Sequence, residues 1–178
     1  MANNLRKSEM KKPSLLHEHA EAITNAYELL LKESLSKVHQ RSGDFHKIIS
    51  EVRKKGAELK NFSEHEAAKA EDYLKRDLID AASYLDNTGQ ELKDWLGFDL
   101  ALVERELWER FSLAVDKTTL ELLRLKEIAA NAKYHTGELT GLGTLICGQC
   151  NQQLHFHKPG HIPPCPSCNG TRFHRQQF

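Results

Sequence analysis

The sequence predicts a mainly α fold: an elongated antiparallel helical hairpin or bundle carrying a small C-terminal β zinc ribbon. Three observations point there. The chain has only four cysteines, Cys147, Cys150, Cys165 and Cys168, arranged as C-x2-C-x14-C-x2-C. Before them, apolar residues recur three and four apart over long windows, as one buried face of a helix requires. Composition agrees, since 28% charged and 7% aromatic residues with two tryptophans suit long helices better than a deep globular core. The expected division is a flexible leader over 1–13, a helical bundle or coiled-coil-like hairpin over 14–133, a Gly-rich joint over 134–143 and the ribbon over 144–178.

Residues 1–13 hold Lys7, Lys11 and Lys12 and little to bury, so they are expected to fray. Ser14, after Pro13, can cap a first helix through Leu16, Ala20, Ile23, Tyr27, Leu30, Leu35 and Val38 that stops near Ser42-Gly43. Asp44 can cap a shorter second helix through Phe45, Ile48, Ile49 and Val52 to Gly56. Ser63-Glu64-His65-Glu66 is a capping box, with Phe62 as its hydrophobic staple, and opens a third helix to near Leu85. The apolar positions Ala67, Ala70, Leu74, Leu78, Ala81 and Leu85 make a narrow seam suited to one neighbouring helix.

After the turn Asp86-Asn87-Thr88-Gly89, Thr88 and Glu91 offer another capping box for a return helix. A break or kink is expected at Gly97, where Asp99 can restart the helix, with Leu96, Leu100, Val103, Leu107, Phe111, Val115, Leu122 and Leu125 lining it toward Lys133. Trp95 and Trp108 read as packing residues, with a partner-binding anchor as the rival reading. Charge-rich faces such as Glu104-Arg105-Glu106 read as solvated surface. Three glycines within Gly137 to Gly143 then disfavour continued helix and let the backbone approach other surfaces closely.

In the ribbon, two C-x-x-C hairpins facing each other supply four thiolates to one tetrahedral ion, which closes the site and makes it structural. The x14 interval is just short of the usual spacing. Pro166 presets a turn, while Asn169, Gly170, Gly148 and Asn151 tolerate the backbone that aims amides at sulfur. Strand-like runs flank the hairpins: Thr144 to Ile146, Gln153 to His157 and Thr171 to His174. The cofactor expected is one structural Zn2+; iron in the same thiolate cage is the lesser reading. Two disulfides, or a redox role for one C-x-x-C motif, are rivals that a reduced chain without a βαβ unit disfavours.

Charge is balanced at 25 basic and 25 acidic side chains, so it names no partner globally. Its distribution is uneven, because no acid follows Glu138 while Lys158, Arg172, Arg175 and four histidines do. Four thiolates on a dication add about −2 and bring the tail to only about +1, a weak pull on nucleic acid. No run reaches the roughly 20 apolar residues of a membrane span, so a soluble, cytoplasmic protein without a membrane partner is expected.

Tyr134-His135-Thr136-Gly137-Glu138, Gly141-Leu142-Gly143, Leu145-x-Cys147-x-x-Cys150 and Cys165-Pro166-x-Cys168 together resemble the bacterial zinc-ribbon-containing proteins related to YbeL. The likeness extends through Leu107-Trp108 and Asp116-Lys117-Thr118-x-Leu120, and more faintly to Arg76-Asp77-Leu78. One departure is that Asn169 stands directly after the last cysteine, where such ribbons often place glycine. The resemblance implies a helical body plus a C-terminal ribbon in bacterial cytoplasm, and implies no reaction.

No phosphate loop, nucleophile elbow or His-Glu-x-x-His helix occurs. His155 and His157 share a strand face and read as exposed polar residues, with a second metal site or a pH sensor as rivals. The expected function is therefore a non-enzymatic adaptor or regulator that docks on a protein partner or macromolecular complex. A transcription-related role is its sharpest form, because helical hairpins joined to four-cysteine modules resemble in outline regulators that probe the RNA polymerase secondary channel. The alternative is direct nucleic-acid binding by the ribbon through Lys158, Arg172, Arg175, Phe156 and Phe173. An enzyme or zinc-storage role is the third reading.

Overall fold

The computed structural model describes residues 15–38, 54, 63–124 and 133–175. The predicted leader lies outside them, as does the second helix over 44–56 apart from Lys54. In chain order the elements are α1 (Leu15–Val38), α2 (Glu64–Thr88), α3 (Leu92–Trp95), a 3-10 turn (Leu100–Leu102) and α4 (Arg105–Arg124). Six strands follow: β1 (Tyr134–His135), β2 (Leu139–Thr140), β3 (Gly143–Cys147), β4 (Gln153–Phe156), β5 (Gly160–His161) and β6 (Arg172–Arg175). A helical part thus precedes a C-terminal antiparallel sheet. Among the described residues no helix is long and apolar enough to cross a membrane.

The capping box at Ser63 forms as read: the Glu66 amide donates to Ser63 Oγ at 3.2 Å, and the Ser63 amide donates to Glu66 Oε2 at 2.7 Å. At the other end Gly89 takes the left-handed conformation, φ 64°, and its amide closes onto Leu85 O at 3.0 Å. Between these caps α2 buries more than the narrow seam expected of it. Ile79, Ala82, Tyr84, Glu66, Glu71 and Asp77 join Ala67, Ala70, Leu74, Leu78 and Ala81 in the interior. The reason is that α2 is covered from several sides, by α1, α4 and the C-terminal segment, and not by one helix. Tyr27, Leu30 and Leu31 of α1 and Phe111, Ala114 and Val115 of α4 complete this core.

The return helix is broken at Gly97, as a break or kink there allowed, but it does not start at Thr88. Thr88 is the last residue of α2, its hydroxyl donating back to Tyr84 O at 2.8 Å and accepting from the Gln90 amide, so it finishes a helix instead of starting one. Helix α3 has only four residues, Gly97 turns the chain at φ 71°, and Asp99 caps the 3-10 turn through the Ala101 amide at 2.9 Å. Only at Arg105 does the long helix begin. The break lets two neighbours be buried in different directions. Trp95 stacks on Phe111 at 5.3 Å and donates to Asp80, while the carbonyl of Leu96 accepts from Thr144 Oγ1 of β3 at 2.6 Å. Trp95 is buried and Trp108 is half-buried against the same core, so both are packing residues. Glu104, Arg105 and Glu106 are exposed, as expected of a solvated face.

Strands β1, β6, β3 and β4 make a four-stranded antiparallel sheet in that order, and β2 with β5 a second, two-stranded one. Residues expected to form only a joint therefore supply β1 and β2. The sheet's inner face gathers Tyr134, Leu145, Cys147, Ile162, Cys165 and Phe173 into a small core of its own. Leu139 and Leu142 belong instead to the helical core, so the two parts share their boundary.

That boundary is polar at its centre. Asp77 of α2, with no exposed surface, accepts hydrogen bonds from Tyr27 Oη of α1 at 3.0 Å, the Gly141 amide at 2.5 Å and Tyr134 Oη of β1 at 3.3 Å. Arg175 of β6 reaches the same carboxylate at 3.4 Å and donates to Thr140 Oγ1 at 3.0 Å. Beside it, Arg76 donates to Glu138 and to Leu139 O, with its guanidinium 3.9 Å from the centre of the Tyr134 ring. Burial pushes the Tyr134 and Tyr27 phenols upward, so both stay protonated donors. Gly141 has no room for a side chain, since a Cβ there would stand 2.2 Å from Tyr27 Oη. The close backbone approach expected of this glycine-rich stretch is thereby met.

Asp80 completes the network, pairing with Arg175 Nε at 3.4 Å. Desolvation pushes its carboxyl up to about 6, although Arg175 pulls the other way. A carboxyl raised above its unfolded value binds extra protons in the folded state, so its contribution is complete below about pH 4 and is lost as pH rises through about 6. Asp80→Asn keeps an acceptor for Trp95 and removes this titration. Measured by denaturant unfolding, the variant is expected to gain about 1 kcal/mol relative to the parent between pH 5 and pH 7.5, the part-exposed side chain tempering the full effect. An unchanged difference across that interval counts against a desolvated Asp80.

Candidate metal centre

Each C-x-x-C motif closes a tight turn at one end of the sheet, and the two turns are built alike. Asn151 donates its amide to Cys147 O at 3.0 Å and Asn169 donates its amide to Cys165 O at 2.8 Å. The Cys147 amide then bonds Gln152 O and the Cys165 amide bonds Gly170 O, both at 2.9 Å. Asn151 and Asn169 are the two described non-glycine residues with left-handed backbone, at φ 61° and 57°. Asparagine tolerates that region better than other side chains. Asn169 thus does the work that a glycine after the cysteine would do. Gly170 serves clearance instead, because a Cβ there would lie 3.0 Å from Cys147 Sγ and 2.7 Å from Gln149 Oε1.

The turns face each other across a sulfur cluster. Cys147 and Cys168 are 3.6 Å apart at sulfur, Cys150 and Cys165 are 3.5 Å apart, and all four sulfurs lie within 4.8 Å of one another. Four sulfurs at about 2.3 Å from one tetrahedral ion stand about 3.8 Å from each other, so the cluster has the size of a metal cage. Both close pairs are free thiols, well beyond the roughly 2.05 Å of a disulfide. Neither motif opens a helix, which the redox reading requires.

Amides of Gln149 and then Cys150 draw Cys147 down to about 6. The Gly170 amide favours the Cys168 thiolate, but hydrogen bonding among the thiols, led by Cys150, and burial push it up to about 12. A bound dication removes this competition by making four thiolates favourable together. Cys147 and Cys165 are buried while Cys150 and Cys168 are exposed, so the cage has one outer side through which an ion can enter.

Residues 32–177 match the family described as zinc-ribbon containing domain. The chain belongs to that family. The ribbon is also similar, together with most of the helical part, to "Uncharacterized protein YbeL" of Escherichia coli strain K12, at 23% identity over 157 residues that cover 88% of this chain and 97% of that one. The YbeL proteins of Escherichia coli O157:H7 and O6:H1 match equally. No solved structure matches.

Around the zinc ribbon the other predicted contact residues separate. Lys158 and Arg172 are exposed and Phe156 is half-buried. Phe173 and Arg175 are 2% and 6% exposed and so present no surface to a nucleic acid, contrary to the expectation from sequence. Phe173 fills the ribbon core beside Cys147, and Arg175 is spent on Asp77 and Asp80. The period of two along β6 already contained this outcome, since Arg175 must share the inward face with Phe173. His155 and His157 lie edge-on to Phe98, at 5.6 and 4.7 Å, and among the described residues they join no group of three metal-ligating side chains. The polar roles of Tyr27, Asp77 and Asp80 escaped sequence reading. Asp77 stands three residues after Leu74 on the apolar face of α2, and an acid on a buried stripe was the available signal.

Asn169 offers a direct check on the second hairpin. Asn169→Gly is expected to leave stability and metal content within about 0.5 kcal/mol of the parent, and Asn169→Val to cost about 1–2 kcal/mol by forcing a branched residue to positive φ. Metal competition titrations and thermal unfolding read both; equal behaviour of the two variants counts against the backbone argument.

Proposed function

We propose that this protein is a non-enzymatic zinc-ribbon adaptor or regulator, in which one structural Zn2+ is held by Cys147, Cys150, Cys165 and Cys168 beside a helical bundle that docks on a macromolecular partner. The observation that supports it most is the convergence of four sulfurs on one point. Four thiolates fill a tetrahedral ion, leave no position for an activated water and so favour a structural over a catalytic metal. The chemistry the ion would supply is cross-linking: it would tie the turn after β3 to the turn before β6. Gln149, donating its amide to Cys147 Sγ, and Gly170, by its lack of a side chain, shape the cage around it. Four free cysteines persist in a reducing compartment, which fits a cytoplasmic setting.

A transcription-related partner is the narrower form of the reading, supported only by the outline of helices joined to a four-cysteine module. The test has two steps. Elemental analysis of the reduced chain is expected to give one zinc per chain, with Cys165→Ser losing it. Metal-loaded and metal-stripped chains are then tested against purified RNA polymerase and ribosomal subunits, with binding expected for the loaded chain alone. A chain without metal, or one that binds neither assembly in either state, overturns the reading.

Direct nucleic-acid binding by the ribbon is left with two exposed cations, Lys158 and Arg172. Such a surface predicts a log–log salt slope no steeper than about −2 for a single-stranded oligonucleotide. A steep slope in fluorescence anisotropy would instead favour that alternative.

A further inference from the structure

The buried carboxylate of Asp77 is held from both sides of the boundary between helices and ribbon. Tyr27 and Arg76 hold it from the helices; Tyr134, the Gly141 amide and Arg175 hold it from the ribbon. Tyr134 and Arg175 sit on strands tied to the cage, and Gly141 leads into β3 from two residues before it. Arg175 lies on β6, seven residues after Cys168, and that strand is clamped between β1 and β3 in the register Tyr134↔Phe173, Cys147↔Phe173 and Leu145↔Arg175. Cys147 ends β3, and Cys165 and Cys168 sit in the turn that delivers β6.

The ribbon is too small to bury a self-sufficient core, so its strands depend on the ion. Its failure strips Asp77 of three of these five partners while Tyr27 and the apolar sides of α1 and α2 still surround it. A buried charge left underpaired is among the most destabilising changes a core can suffer. Leu139 and Leu142, which fill the helical core, leave at the same time. Trp95 loses the Arg175 guanidinium that lies 4.7 Å from its ring.

We propose that Asp77 and Arg175 form a metal-dependent latch, through which loading of the four-cysteine centre decides whether α1 and α2 keep their packing. The latch rests on the metal reading above. It makes the helical surface offered to a partner conditional on the metal, so that the chain reports metal status with its helices and not only with its ribbon.

Hydrogen exchange by mass spectrometry on the full chain, zinc-loaded and after EDTA treatment, tests the latch. In the parent, chelation is expected to speed exchange at least about tenfold in peptides spanning 26–31 and 74–82, as well as throughout the ribbon. The double variant Asp77→Asn/Arg175→Met removes both charges together, leaving Asp80 its bond from Trp95 and Arg76 its pair with Glu138. It is expected to retain one zinc per chain, and the helical response to chelation should shrink to about threefold or less, the remainder coming from Leu139 and Leu142. Arg175→Lys, keeping the charge, should restore part of the response. Helix peptides that ignore chelation while ribbon peptides respond overturn the latch and leave the metal reading intact, as does a double variant with the full response. If neither region responds and elemental analysis finds no metal, the metal reading fails and the latch with it.

Discussion

Asp77 carries a carboxylate into the interior at the one place where α1, α2, β1, β6 and the glycine-rich segment all meet. A desolvated charge there is tolerable only while several donors face it, and the distances to Tyr27, Gly141, Tyr134 and Arg175 show that they do. Much of the arrangement follows from satisfying that group. Arg175 must point inward from β6, Gly141 must lack a side chain, and β1 must lie close enough for a phenol to reach. Arg175 itself is desolvated against its charge, an effect outweighed by the charges of Asp77 and Asp80 and by the hydrogen bond that Tyr134 Oη accepts from it.

The sulfur cage and this polar centre occupy the two ends of the same short strands. Cys147 closes β3 while Leu145, two residues back, is paired with Arg175. A constraint at one end is therefore carried to the other by a sheet whose rungs are backbone hydrogen bonds, with Phe173 filling the space between. The ribbon has few apolar residues to bury, and the helices leave a place in their core for Leu139 and Leu142.

The broken path between α2 and α4 belongs to the same logic. A continuous helix from Thr88 would present one face, whereas Trp95 and Leu96 have to serve two surfaces. Trp95 lies against Phe111 and Arg175, and the Leu96 carbonyl satisfies Thr144. Gly97 and Asp99 marked the interruption in sequence, as a break or kink with a restart. The size of the detour depended on strands that lie about fifty residues further along the chain.

What the sequence determined by itself was governed by short spacing: the cysteine pairs and their left-handed asparagines, the Ser63 capping box, a turn ending at Gly89 and the alternation in the strands. These depend on dihedral preference and on atoms a few residues apart, which any fold must respect. The family likeness was legible for the same reason, since it is carried by such motifs. Tertiary structure decided the rest. Whether Arg175 and Phe173 meet solvent or the interior, and whether an acid on α2 is surface or hub, turns on which surfaces cover them, and desolvation is a property of the assembled whole.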